Sequence, residues 1–190
     1  MEFNLLDIVT NLFTSNIISK AASSLGESEG SIQKAISGAV PAVLTGILNK
    51  AGSGVDASAN ILNMAKEASG SGILNNPGRF IGGGNETGGK SGLLSMAASL
   101  FGDKLGNINS MIANFSGIKL SSASTLINMT TPVALGVIGN HASANKLNAR
   151  GLLQMLISQK DKEIRRSEDQ GVASERRSAG VLSLSVLLIS

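Results

Sequence analysis

Ala35-Ile36-Ser37-Gly38-Ala39-Val40-Pro41-Ala42-Val43-Leu44-Thr45-Gly46-Ile47-Leu48 carries no charged residue. With Ile32 before it, its apolar positions (Ala35, Ile36, Ala39, Val40, Val43, Leu44, Ile47 and Leu48) recur at spacings of three and four. That period is helical, and the apolar face is too wide for a helix lying on a surface. The spacing therefore predicts a buried central helix that starts near Ser28 and ends at Lys50 and Gly52. Pro41 lies inside it. Proline has no N–H to donate and its ring crowds the preceding turn, so a kink or a split is expected there.

A second stretch resembles the first. Pro41-Ala42-Val43-Leu44-Thr45-Gly46-Ile47-Leu48-Asn49-Lys50-Ala51 sets beside Pro132-Val133-Ala134-Leu135-Gly136-Val137-Ile138-Gly139-Asn140-His141-Ala142. Pro, Leu, Ile, Asn and Ala recur at the same offsets. Two readings are open. One is a duplication of about 35 residues, near 16–51 and 107–142, since matched offsets are the signature of repeats. The other is a likeness of composition between two buried, proline-containing helices.

Shorter helices are expected around these two. Leu5, Leu6, Ile8, Val9, Leu12 and Phe13 share a face behind Asn4 as cap,. Ile17, Ile18, Ala21 and Leu25 follow, closed by Gly26,. Asp56 is read as the cap of a helix carrying Ile61, Leu62 and Ala65,. Helices resume at Ser91 with Leu93, Leu94, Ala97, Leu100 and Phe101, then with Ile108, Met111, Ile112 and Phe115 up to Gly117. The second proline helix begins after Ser121, and a last helix opens near Asn148 with Leu152, Leu153, Leu156 and Ile157. Met96, Met111, Met129 and Met155 fall on helical faces, where core filling is the expected role.

These signals divide the chain into a helical half at 1–68, a Gly-rich connector at 69–92, a second helical half at 93–160 and a tail at 161–190. Nine of the 24 connector positions are Gly, which reads as a flexible or surface loop,. Eleven of the chain's 29 charged residues lie between Lys160 and Arg177, and Val181 to Ile189 is apolar apart from two Ser. The expected class is all-α: one multihelical domain with an internal helical pseudo-repeat.

Composition narrows the chemistry. The chain has no Cys, Trp or Tyr, one His (His141) and five Phe. Disulfides, thiolate nucleophiles and sulfur-ligated or multi-histidine metal sites have no residues to build them. The net charge of +3 comes from scattered side chains, with no basic stripe to neutralise phosphates, so no nucleic-acid partner is expected,. Glu2 and Asp7 interrupt the N-terminus where a secretory signal would be basic, then apolar,. No uninterrupted apolar run approaches the roughly 20 residues of a spanning helix, and a cytoplasmic location is the resulting expectation.

One motif carries a specific chemistry. Gly84-Asn85-Glu86-Thr87-Gly88-Gly89-Lys90-Ser91 matches the phosphate-loop pattern, in which backbone N–H groups cradle phosphates while Lys90 and Ser91 would meet phosphate and Mg²⁺,. The pattern counts only between a buried strand and a helix. Asn75, Asn76, Pro77 and the Gly82-Gly83-Gly84 triplet precede it, where no strand is expected,. Gly84, Gly89, Lys90 and Ser91 are therefore read as a loop, with nucleotide binding as the alternative. His141, near the end of the second proline helix, suits a capping or surface role. Asp7, Glu67 and Asp103 are isolated acids. No catalytic residue, metal site or cofactor is assigned.

Several stretches together resemble a known family. They are Phe3-Asn4-Leu5-Leu6-Asp7, Leu25-Gly26-Glu27-Ser28, the run from Ala35 to Leu44, Leu100-Phe101-Gly102-Asp103-Lys104-Leu105, Phe115-Ser116-Gly117-Ile118 and Ser158-Gln159-Lys160-Asp161. The chain is similar over about residues 1–162 to the YidB-like family, the bacterial domain of unknown function numbered 937; the tail does not match. The resemblance implies a multihelical fold and supplies no catalytic residues. The expected function is a non-enzymatic interaction or scaffold domain with a protein partner, associated with the cell envelope by family analogy. A nucleotide-binding protein and a membrane-active helical protein are the alternatives.

Overall fold

The structure, a computed structural model, describes residues 4–80 and 90–159. The described residues form α1 (Leu5–Leu12), α2 (Ser15–Leu25), α3 (Glu29–Ala51), α4 (Val55–Gly70), a 3₁₀ turn (Pro77–Phe80), α5 (Lys90–Phe101), a second 3₁₀ turn (Gly102–Lys104), α6 (Leu105–Ser116) and α7 (Leu120–Ala144). Residues 149–159 are again helical, and no strand occurs among the described residues. The all-α expectation holds. The tail at 161–190 lies outside the described residues.

Local chemistry sets most boundaries. Asn4 caps α1 by accepting from the Asp7 N–H, and Ser28 caps α3 by accepting from the Ser31 N–H at 3.1 Å,. Asn148 does the same for the last helix, accepting from the Gly151 N–H at 2.9 Å. Asp56 is not the cap expected of it. Gly54, at φ +147°, precedes α4, and Asp56 sits inside the first turn, where its charge suits the helix dipole,. Pro41 does not split α3, nor Pro132 α7. The carbonyls that lose their donors belong to Ser37 and Asn128, and neither residue is buried,.

The internal repeat is structural and wider than the sequence suggested. At a constant offset of 91 residues, Gly26 and Gly117 both end a helix in the left-handed conformation, at φ +65° and +74°. Their N–H groups return to Ala22 and Ala113, themselves 91 apart, and the next N–H groups, Glu27 and Ile118, return to the same carbonyls,. Glu29 and Leu120 then open the long helices, and proline is the thirteenth residue of each. The same offset sets buried Leu5, Val9 and Ile61 against buried Met96, Leu100 and Leu152. The unit repeated is thus α1–α4 against α5–α7 and 149–159.

Both units share one core, with α3 and α7 at its centre. Length and composition would let α3 cross a membrane, as they would many core helices; half of its most apolar 18-residue window is buried within the fold. The tightest crossing joins α4 to α7, where a Cβ on Gly139 would collide with the Ala65 carbonyl. The described part of the connector lies only partly at the surface, where Ser71, Asn75 and Asn76 are exposed. Ile73 is fully buried, and Pro77 and Gly78 are buried too. Leu5 N–H donates to the Gln159 side chain at 3.3 Å, tying the first helix to the last.

A second tie crosses the halves. The cap position of α7 is Lys119, whose side chain cannot accept, whereas its repeat-mate Ser28 caps its own helix. Glu27, in the α2–α3 turn, ties down this end of α7 by other bonds: one oxygen accepts from the Lys119 N–H at 2.9 Å and the Ser122 hydroxyl at 2.8 Å. Those two bonds, with a smaller contribution from the Lys119 charge, hold the Glu27 carboxyl below the usual glutamate value against the opposing effect of burial,.

Three substitutions test this packing. Gly139→Ala, which puts a methyl on the Ala65 carbonyl, is expected to cost about 1–3 kcal/mol in denaturant unfolding, as overpacking does. Gly30→Ala, with nothing near its added methyl, should change stability by no more than about 1 kcal/mol, and in the favourable direction,. For Glu27, a depressed folded pKa means its contribution is complete above the ordinary glutamate value and is lost as pH falls through the depressed one,. Glu27→Gln should therefore lower the melting temperature at neutral pH, and the gap to the parent protein should close in acid.

Candidate functional site

α3 and α7 are repeat-mates, but their outer faces differ. Every residue of α7 from Met129 to Gly139 is buried. On α3, Thr45 is exposed and Pro41, Ala42 and Gly46 are half-buried, although their mates Pro132, Val133, Gly136 and Val137 are all buried. The uncovered face of α3 forms one wall of an open groove of about 650 Å³. Leu100, Phe101 and Lys104 also line it, with Ile108 and Met111 of α6.

Small residues on α3 shape the floor. A Cβ on Gly46 would strike the Phe101 ring, so the glycine lets that ring lie across the helix. A Cβ on Gly38 would crowd Ile112 at 3.1 Å and Phe115 at 3.2 Å, so this glycine lets α6 approach. Met111 and Phe115, one turn apart on α6, are 56% and 51% exposed, a large apolar area left in water. Lys34 stands 5.1 Å from the Phe115 ring centre, a cation–π contact,. The charged groups lining the groove, Lys50 and Lys104, are both cationic. Beyond Lys50 a smaller depression of about 380 Å³ continues between α4 and α5, with Asn60, Asn63, Met64 and Glu67 on its walls.

This arrangement can hold an apolar segment flanked by acceptors or acids. It offers no nucleophile–base pair: Thr45 and Ser53 line the groove without a histidine or carboxylate among the other lining residues,. Among the described residues no three of His, Cys, Asp or Glu gather as a metal would require.

The residues singled out from sequence lie elsewhere. Gly84 and Gly89 of the phosphate-loop motif lie outside the described residues. Lys90 and Ser91 open α5, and their side chains also lie outside the described ones. His141 sits in the last turns of α7, with its Nε2 3.3 Å from the Asn145 amide nitrogen. Met111 departs from its expected core role: Met96 and Met129 are buried, but Met111 projects into the groove. Its spacing gave no warning: Ile108, Met111, Ile112 and Phe115 stand at the i, i+3, i+4, i+7 positions of an ordinary core-facing helix,.

No curated protein and no solved structure matches the chain. A family model described as a bacterial protein of unknown function (DUF937) matches residues 7–141. That span runs from α1 through both glycine-capped turns and both proline helices, and the chain belongs to this family.

Proposed function

We propose that the protein is a non-enzymatic helical interaction domain, and that the α3–α6 groove is where a protein partner docks. The observation that carries this reading is the pairing of exposed Met111 and Phe115 with the uncovered small-residue face of α3. A concave apolar surface with few polar groups is the usual form of a binding site, and exposed apolar patches on otherwise well-packed proteins mark interaction surfaces. Met adds adaptability, since its unbranched thioether repacks around different shapes. The two lysines favour a partner with acidic or carbonyl groups beside its apolar contact.

Site-specific photo-crosslinking in cells tests the reading. A photoreactive phenylalanine analogue at Met111 should give discrete protein adducts that the same analogue at Glu29, on an exposed position of α3 away from the groove lining, does not. Identical adducts at both positions, or none at either, would count against docking at this groove. A saturable Mg·ATP or Mg·GTP titration abolished by Lys90→Ala would instead support nucleotide binding.

A further inference from the structure

The internal repeat contains a filled copy of this groove. On α7 the mate of Thr45 is Gly136, and Leu74 and Ile73 lie against it, 3.1 and 3.3 Å from where a Cβ would stand. On α2 the mates of Ile108 and Met111 are Ile17 and Lys20, and both lie against buried Gly78, at 3.8 and 3.6 Å from its Cβ position. The 3₁₀ turn at Pro77–Phe80 packs against both α2 and α7. The segment from Ile73 to Gly78 thus occupies, in the second half, the place that stands open in the first. Three residues that seat it have mates lining the open groove: Thr45, Ile108 and Met111.

From this correspondence we infer that the open groove takes a short apolar, proline-containing segment of a partner protein, seated in the manner of Ile73-Leu74-Asn75-Asn76-Pro77-Gly78. The inference rests on the docking reading above and specifies the occupant. At the positions 91 residues after Ile73–Gly78 the chain reads Ile164-Arg165-Arg166-Ser167-Glu168-Asp169, which lie outside the described residues. Four of those six are charged, and placing them on an apolar floor would cost their hydration. A segment in trans carries no such cost. One substitution also sets its specificity. Gly136 lets Leu74 reach the helix surface, but Thr45 adds a side chain at that point. The occupant of the open groove therefore presents a residue smaller than Leu there, and proline can hold the following turn without needing a donor.

Two labelled peptides test this on the full chain by fluorescence polarisation. One copies residues 69–80; the other is identical except for alanine in place of Leu74. The alanine peptide is expected to bind saturably and more tightly than the leucine peptide. Met111→Asp should weaken it by about tenfold or more, the effect of removing a central apolar contact. Thr45→Gly should reverse the order of the two peptides. Binding of neither peptide, or binding indifferent to both substitutions, would overturn the inference. Groove-specific adducts at Met111 would still stand in that case, so the docking reading and the identity of the occupant fail separately. Self-association abolished by Met111→Asp would assign the groove to a second copy of the chain. A disulfide between Thr45→Cys and Val186→Cys in one chain, which has no other cysteine, would assign it to the chain's own end. Either result also overturns a partner in trans.

Discussion

The rest of the architecture depends on the contact between Gly139 and the Ala65 carbonyl, where α4 and α7 meet with no side chain between them. Helices in ordinary contact are held 8–10 Å apart by their side chains, and glycine lets them come closer. That crossing binds the first repeat to the central helix of the second. It also fixes where the chain goes next. Because α4 ends against α7, the following residues are delivered to the outer face of α7, and Ile73, Leu74 and Pro77 close it. A connector rich in glycine thereby becomes part of the core.

The same logic accounts for the open groove. Each repeat builds a long proline helix whose outer face is made of small residues and needs a cover. In the second half the segment after α4 supplies it. In the first half Pro41, Ala42 and Thr45 have no such segment over them among the described residues, and the apolar residues of α6 line the same groove of about 650 Å³. The two halves are like scaffolds with unlike occupancy. The unfilled one is the surface on which the proposed docking takes place. The resident segment in the filled one shows the kind of chain the seat accepts.

Much of the fold was legible in the sequence because its signals are local. Asn4, Ser28, Gly26 and Gly117 act within a turn of themselves, and the three-and-four spacing around Pro41 and Pro132 reports burial directly. The repeat was visible in five matching positions, although its full extent needed the paired caps and buried residues to appear. What was not legible depends on neighbours far along the chain. Periodicity places Met111 on an apolar face but does not say whether another element covers that face. Ile73 sits among Gly, Asn and Pro that read as loop, and its burial follows from the path of α4. Asp56 is not a cap because Gly54, at positive φ, opens the helix two residues earlier than a cap at Asp56 would. The bond from the Lys119 N–H to Glu27, 92 residues away, had no local signature at all.

Native-state hydrogen exchange on the intact chain tests the central claim, that two repeats are interlocked through α3, α4 and α7 into one cooperative core. The account predicts that the buried amides of Ile36–Ile47 and of Ile127–Ile138 exchange only through the same global opening, with one free energy and one denaturant dependence. Two distinct opening energies, with the first half exchanging while the second stays protected, would contradict it.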